Sequence, residues 1–111
     1  MEKFSLTAIA REQLERAKPG TSGRSASTVF GGHERTLRQT IVALVEGSSL
    51  EEHESPGEAT VLVLSGRVRL TAGGDTWTGR TGDLLVIPRA RHALDGLEDS
   101  TILLTVAKDP N

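Results

Sequence analysis

The sequence predicts an all-β domain of antiparallel strands, a barrel or sandwich, preceded by one short helix. Three observations carry that reading. From residue 27 to residue 107, short runs rich in Val, Leu, Ile and Thr recur at a regular beat, and glycine-bearing turns separate them. With 12 glycines, two Phe, one Trp and no Tyr, the core must be built from Val, Leu, Ile and Ala, which favours strands joined by tight turns. A length of 111 residues gives room for one domain around one core.

The elements follow in order. Residues 5–18 place Leu6, Ile9, Ala10, Leu14 and Ala17 at helical spacing, with Ser5 as N-cap and Pro19-Gly20 as the stop. So short a helix needs a surface to dock on, and packing on the body or on a second subunit is expected. Residues 19–26, rich in Gly and Ser, form a connector, so the division is helix and connector over 1–26 and β domain over 27–108. Ser27–Phe30 and Leu37–Val45 read as two strands around Gly31-Gly32. The second sets Leu37, Gln39, Ile41 and Ala43 on one side and Arg38, Thr40, Val42 and Leu44 on the other, which predicts cover on both faces of its C-terminal half.

Further strands are expected at Thr60–Leu64, Arg67–Thr71, Asp75–Thr78, Leu84–Ile87, His92–Leu94 and Thr101–Ala107. The pair Gly73-Gly74 is the clearest hairpin turn. Trp77 on that hairpin is expected to cover a barrel end or a subunit contact.

Composition removes several classes of function. The net charge of −2 is spread with both signs mixed, so there is no basic stripe for a nucleic acid. No cysteine is present, which excludes disulfides, thiolate zinc sites and thiol nucleophiles. No segment reaches the ~18 apolar residues of a membrane span, and the first residues lack a signal peptide's basic start and apolar run, so a cytoplasmic protein is expected.

The candidate site is the polar arc His53-Glu54-Ser55-Pro56-Gly57-Glu58, which runs directly into a buried strand closed by Gly66. His92 opens another strand, after Pro88. If the barrel brings those strand starts together, His53 and His92 face one cavity at its mouth. Two imidazoles begin a divalent metal site, yet stable sites use three or four protein ligands. Strand parity sets His53, Ser55, Ala59, Val61 and Val63 on one side and Glu58 on the other, although Pro56-Gly57 can break the register and leaves Glu58 undecided. His33, beside Gly31-Gly32, reads as a turn histidine. Gln39 is a remoter hydrogen-bonding candidate. No serine sits in a nucleophile elbow, and neither Gly-Gly pair precedes a helix in the manner of a phosphate loop.

Gly47, five residues, His53-Glu54-Ser55 and then Gly66 resemble the first motif of the cupins. Gly82, five residues, Pro88 and then His92 resemble the second. The similarity covers residues 36–107 and is to small single-domain, conserved-barrel, RmlC-like cupins. It implies a jelly-roll β-barrel, often dimeric, with a pocket at the barrel mouth. By that resemblance His53 and His92 match the first and last metal histidines. Ser55 stands where a second histidine is usual, Ala59 stands where a glutamate is usual, and the proline-to-histidine spacing of the second motif is one residue short.

The expectation is therefore a homodimeric cupin whose pocket, formed by His53, Ser55, Glu58 and His92, binds a small molecule, with a weakly held divalent metal ion at His53 and His92. Arg89 and Arg91 flank His92 at the rim, where they attract an anionic ligand. The alternative is a metal-dependent enzyme of dioxygenase or isomerase type with an incomplete histidine shell, and the third reading is a dimerisation scaffold with an empty barrel.

Overall fold

The computed structural model describes the backbone of residues 2–53 and 57–108, and all of those side chains except Glu52 and His53. Helix α1 spans Leu6–Ala17. The strands that follow are β1 Arg24–Phe30, β2 Leu37–Leu44, β3 Ser49–His53, β4 Gly57–Ser65, β5 Arg67–Ala72, β6 Asp75–Arg80, β7 Leu84–Ile87, β8 His92–Gly96 and β9 Ser100–Lys108.

Strands β2 to β9 form one long antiparallel hairpin wrapped on itself. β5 pairs with β6, β4 with β7, β3 with β8 and β2 with β9. The tip is the Gly73-Gly74 turn, where both glycines take positive φ, 57° and 87°. Wrapping then adds the pairs β4–β9 and β5–β8, so the strands sort into the orders β1-β2-β9-β4-β7 and β3-β8-β5-β6. This winding is the expected jelly roll, with one refinement to the expected barrel. Among the described residues each sheet hydrogen-bonds only within itself, so the two sheets face each other without closing.

The period of two decides what lies between them. Val42 and Leu44 of β2, Ala59, Val61 and Val63 of β4, and Ile102 and Val106 of β9 meet Val68 and Leu70 of β5 and Leu94 of β8. Each fully buried aliphatic side chain of this kind contributes about 1.5–3 kcal/mol of transfer free energy. The opposite side of β2 is buried as well, since Ile41 and Ala43 lie beneath α1, which sits over β1 and β2 and touches β9. Docking of the helix on its own sheet is thus the first of the two expected outcomes. Ser5 Oγ accepts from the Ala8 N–H at 3.2 Å as the N-cap, and the buried Gln13 accepts from Ser25 Oγ at 2.5 Å.

Two boundaries differ from the sequence reading. β1 begins at Arg24, inside the expected connector, because its backbone pairs Arg24 with Leu44. β3 carries no strand signal in Ser-Leu-Glu-Glu-His; pairing with β8 holds it extended, and Leu50 supplies its packing against the core.

The two ends of the sandwich differ. At one end the turns β2–β3, β4–β5 and β8–β9 are stitched together. Glu46 N–H donates to Asp99 Oδ1 at 2.9 Å, Gly47 N–H to Gly96 O at 2.8 Å, and Leu97 N–H to Arg67 O at 2.9 Å. The fully buried Ser100 hydroxyl accepts from the Arg67 N–H at 2.9 Å. Gly66 turns here at φ 87°, where a Cβ would run into Ser100 Oγ and the Asp99 carbonyl. At the other end lie the β1–β2, β3–β4 and β7–β8 connections, the hairpin tip and the end of β9.

Candidate functional site at the open end of the sandwich

Both histidine-bearing segments are arms of the wrapped hairpin, so their ends meet at the open end. β3 ends at His53 and β8 begins at His92, and the two residues are partners in the antiparallel register, after an irregularity between Leu50 and His53. On its other side His92 is the partner of Ala72. His53 and His92 are therefore neighbours on adjacent strands, with His53 at the end of β3 rather than before a strand start as the sequence reading had it.

His92 is buried, 5% exposed, and its Nδ1 lies 3.0 Å from the Ala90 carbonyl oxygen. A carbonyl only accepts, so Nδ1 donates in this contact and the bond fixes the orientation of the ring. The 88–91 turn that supplies the carbonyl is itself closed by Ala90 N–H donating to Pro88 O at 2.8 Å.

The other expected residues separate. Ser55 lies outside the described residues. Ala59 is on the inner face, 7% exposed, in register with Ile87 and Val106. Glu58 is exposed on the opposite, outer side of β4. It thus faces away from the inner side that Ala59 occupies, next to Val86 and Arg89 in an open recess of about 400 Å³. Gln39 also faces outward, donating from Nε2 to Thr105 Oγ1 at 3.2 Å, which removes it from the interior. His33 is exposed in the β1–β2 loop, where its carbonyl and that of Gly32 accept from Lys108 Nζ. Trp77 pairs with Leu70 on edge strand β6 and is 42% exposed.

Arg38 is the residue the sequence reading passed over. It pairs with Val106, which in turn pairs with Ala59, and it shares the inward parity of Val42 and Leu44. A half-buried arginine thus takes an inner-face register position at the open end. The alternation of β2 already contained the signal, because the side that buries Val42 and Leu44 must also carry Arg38.

The donor set for a metal is thin. Among the described residues no group of three or more His, Asp or Glu side chains converges. Ala59 brings a methyl group to the position where the family's carboxylate is usual. Of the two histidines expected as ligands only the His92 side chain is among those described, and two imidazoles are fewer than a tight site uses.

A two-layer jelly roll of two antiparallel sheets, with two histidines in register at its open end, defines a small β-sandwich protein. The family model of the cupin domain matches residues 40–106, and the chain belongs to that family. Among curated proteins none matches the sequence. Among solved structures, a conserved protein of unknown function from Streptococcus pyogenes is similar at 29% identity and a TM-score of 0.74, over 83% of this chain and 80% of that one. A cupin 2 conserved barrel domain protein from Leptotrichia buccalis matches at 26% identity and 0.72, over 80% of this chain and 43% of that one. A cupin superfamily protein from Desulfitobacterium hafniense shares the fold at 20% identity and 0.71, over 78% of each chain. Among the described residues no helix is long and apolar enough to cross a membrane.

Proposed function

We propose that this cupin is a homodimeric binding protein for a small, anionic organic molecule, held at the open end of the sandwich by His53, His92 and Arg38. The observation that carries this reading is the buried His92, in register with His53 and with its ring oriented through Nδ1 by the Ala90 carbonyl oxygen. Small side chains support it, since Ala59 and Ala72 take the inner-face positions toward the open end. Arg38 supplies the cation for a carboxylate or phosphate, and Arg89 and Arg91 add positive charge at the rim.

The test is thermal denaturation of the tag-free protein against a panel of small carboxylates and phosphoesters, with native mass spectrometry for co-purified ligand. At least one such compound should raise Tm in wild type and lose that effect in Arg38→Gln. If neutral analogues stabilise the protein equally, the anionic assignment is wrong; if nothing in the panel binds and nothing co-purifies, the binding reading is wrong.

A second reading, a metal-dependent enzyme, is favoured by the direct register pairing of His53 with His92. A bound divalent ion would supply Lewis acidity at the pocket. This chain's own contribution would be two imidazoles, one oriented by Ala90, with Arg38 to place an anionic substrate.

A further inference from the structure

The outward side of the β3-β8-β5-β6 sheet carries its charges in cross-strand rows. Val68 and Leu70 of β5 enter the core, so Arg67 and Arg69 take the outward positions. Arg69 stands between Asp95 of β8 and Thr78 of β6, and it pairs with the Asp95 carboxylate at 3.4 Å. The next row is built differently. Arg67 is the register partner of Arg80, which sets two cations side by side on neighbouring strands, and like charges directly opposite each other destabilise a sheet. Glu98, from the β8–β9 turn, answers one of them, with Oε2 3.5 Å from Arg67 Nε. Asp83 is engaged by the backbone, since its Oδ2 accepts from the Arg80 N–H at 2.8 Å. Among the described residues the Arg80 side chain has no hydrogen-bond or ion-pair partner.

Arg67 Nε is a second, independent anomaly. It is shielded from solvent and has no hydrogen-bond partner among the described residues, because Glu98 lies within ion-pair range without accepting its N–H. Buried donors are normally satisfied, so an orphan of this kind marks a place where a water, an ion or a ligand group belongs. Beside it opens a recess of about 420 Å³ between Gly66, Arg67, Arg80, Thr81 and Glu98, in which only Gly66 lacks a polar side chain.

We infer that this recess binds a phosphoryl group, as inorganic phosphate or as a small phosphomonoester, between the Arg67 and Arg80 guanidiniums, with the Thr81 hydroxyl as a further donor. Each guanidinium fork donates two parallel N–H bonds to two oxygens of one anion. Two forks and a hydroxyl call for more oxygens than a carboxylate has, and a phosphoryl group supplies them together with the charge that answers the unpaired arginine. One of those oxygens is the acceptor that Arg67 Nε lacks. Glu98 is the lining group that works against an anion, and its side chain, 55% exposed, can turn toward solvent. The site is distinct from the histidine pocket. β5 runs from Arg67 at the closed end to Ala72, the partner of His92, at the open end, a span of about 17 Å.

Inorganic phosphate titrated into the tag-free full chain at constant ionic strength, followed by amide chemical shifts, should give saturable changes at Arg67, Arg80 and Thr81. Arg80→Gln and Arg67→Gln should each weaken binding about tenfold or more. Glu98→Gln should tighten it, because it removes the opposing charge. Arg38→Gln, which alters the open end, should leave these changes in place. Glycerol phosphate distinguishes the sources: tighter binding than inorganic phosphate assigns the site to an ester, and equal binding assigns it to the free ion. Equal shifts from chloride, or shifts that never saturate, mean an adventitious ion only and overturn the inference. So does unchanged affinity in Arg80→Gln with circular dichroism intact, and so does a phosphate response that disappears in Arg38→Gln, which would place the anion in the histidine pocket.

Discussion

His53 and His92 are register partners across β3 and β8, one at the end of its strand and one at the start. The wrapped hairpin makes them so: β3 and β8 are the third pair of arms counted from the Gly73-Gly74 tip, after β5–β6 and β4–β7, and residues in register on antiparallel arms lie side by side.

That pairing sets the metal behaviour. Two imidazoles should bind a divalent ion such as zinc weakly, so tag-free protein should lose it on gel filtration. His92→Ala should lower the affinity measured by calorimetry tenfold or more, and His53→Ala/His92→Ala should abolish binding. Stoichiometric metal retained through gel filtration, confirmed by elemental analysis, would instead favour the enzyme reading.

Ala59→Leu should fill the inner-face space at the open end. Ligand-induced stabilisation should disappear, while the protein still folds at a cost of about 1–3 kcal/mol for overpacking. Urea denaturation with and without ligand separates the two effects, and unimpaired binding would place the pocket elsewhere.

At the closed end, Gly66→Ala should cost about 2–4 kcal/mol. The positive φ penalises any side chain, and the new Cβ also meets Ser100 and the Asp99 carbonyl. The shift of the urea midpoint at unchanged m-value measures it, and a loss under 1 kcal/mol would mean that the turn relaxes.

Ser100→Ala removes the acceptor for the Arg67 N–H inside the same closure. A buried donor left unpaired costs about 1–3 kcal/mol. Faster hydrogen exchange at the Arg67 amide, with the open-end amides unchanged, should accompany it.

The helix cap gives a smaller, local effect. Ser5→Ala should destabilise α1 by about 1 kcal/mol through loss of the bond to the Ala8 amide. Fraying of the first turn, followed by exchange at Ile9, is the expected readout.

Much of the fold was legible because it depends on local rules. The stripe Leu6, Ile9, Ala10, Leu14 and Ala17 announced α1, and the two-sided burial of Ile41–Leu44 followed from the alternation of β2. Gly73-Gly74 marked the hairpin tip. β3 was not legible, since Glu51 and Glu52 break any apolar alternation and only tertiary pairing holds that strand.

The sequence by itself determined the class of fold, the strands other than β3 and the two histidines worth watching, because residue spacing and turn chemistry are local. Only the tertiary structure decided that His53 and His92 are partners, that the sheets stay unclosed, that Glu58 and Gln39 face outward, and that Arg38 joins the inner face. Those facts depend on which strands pair and in what register, and a register is set by the whole wrapped chain at once.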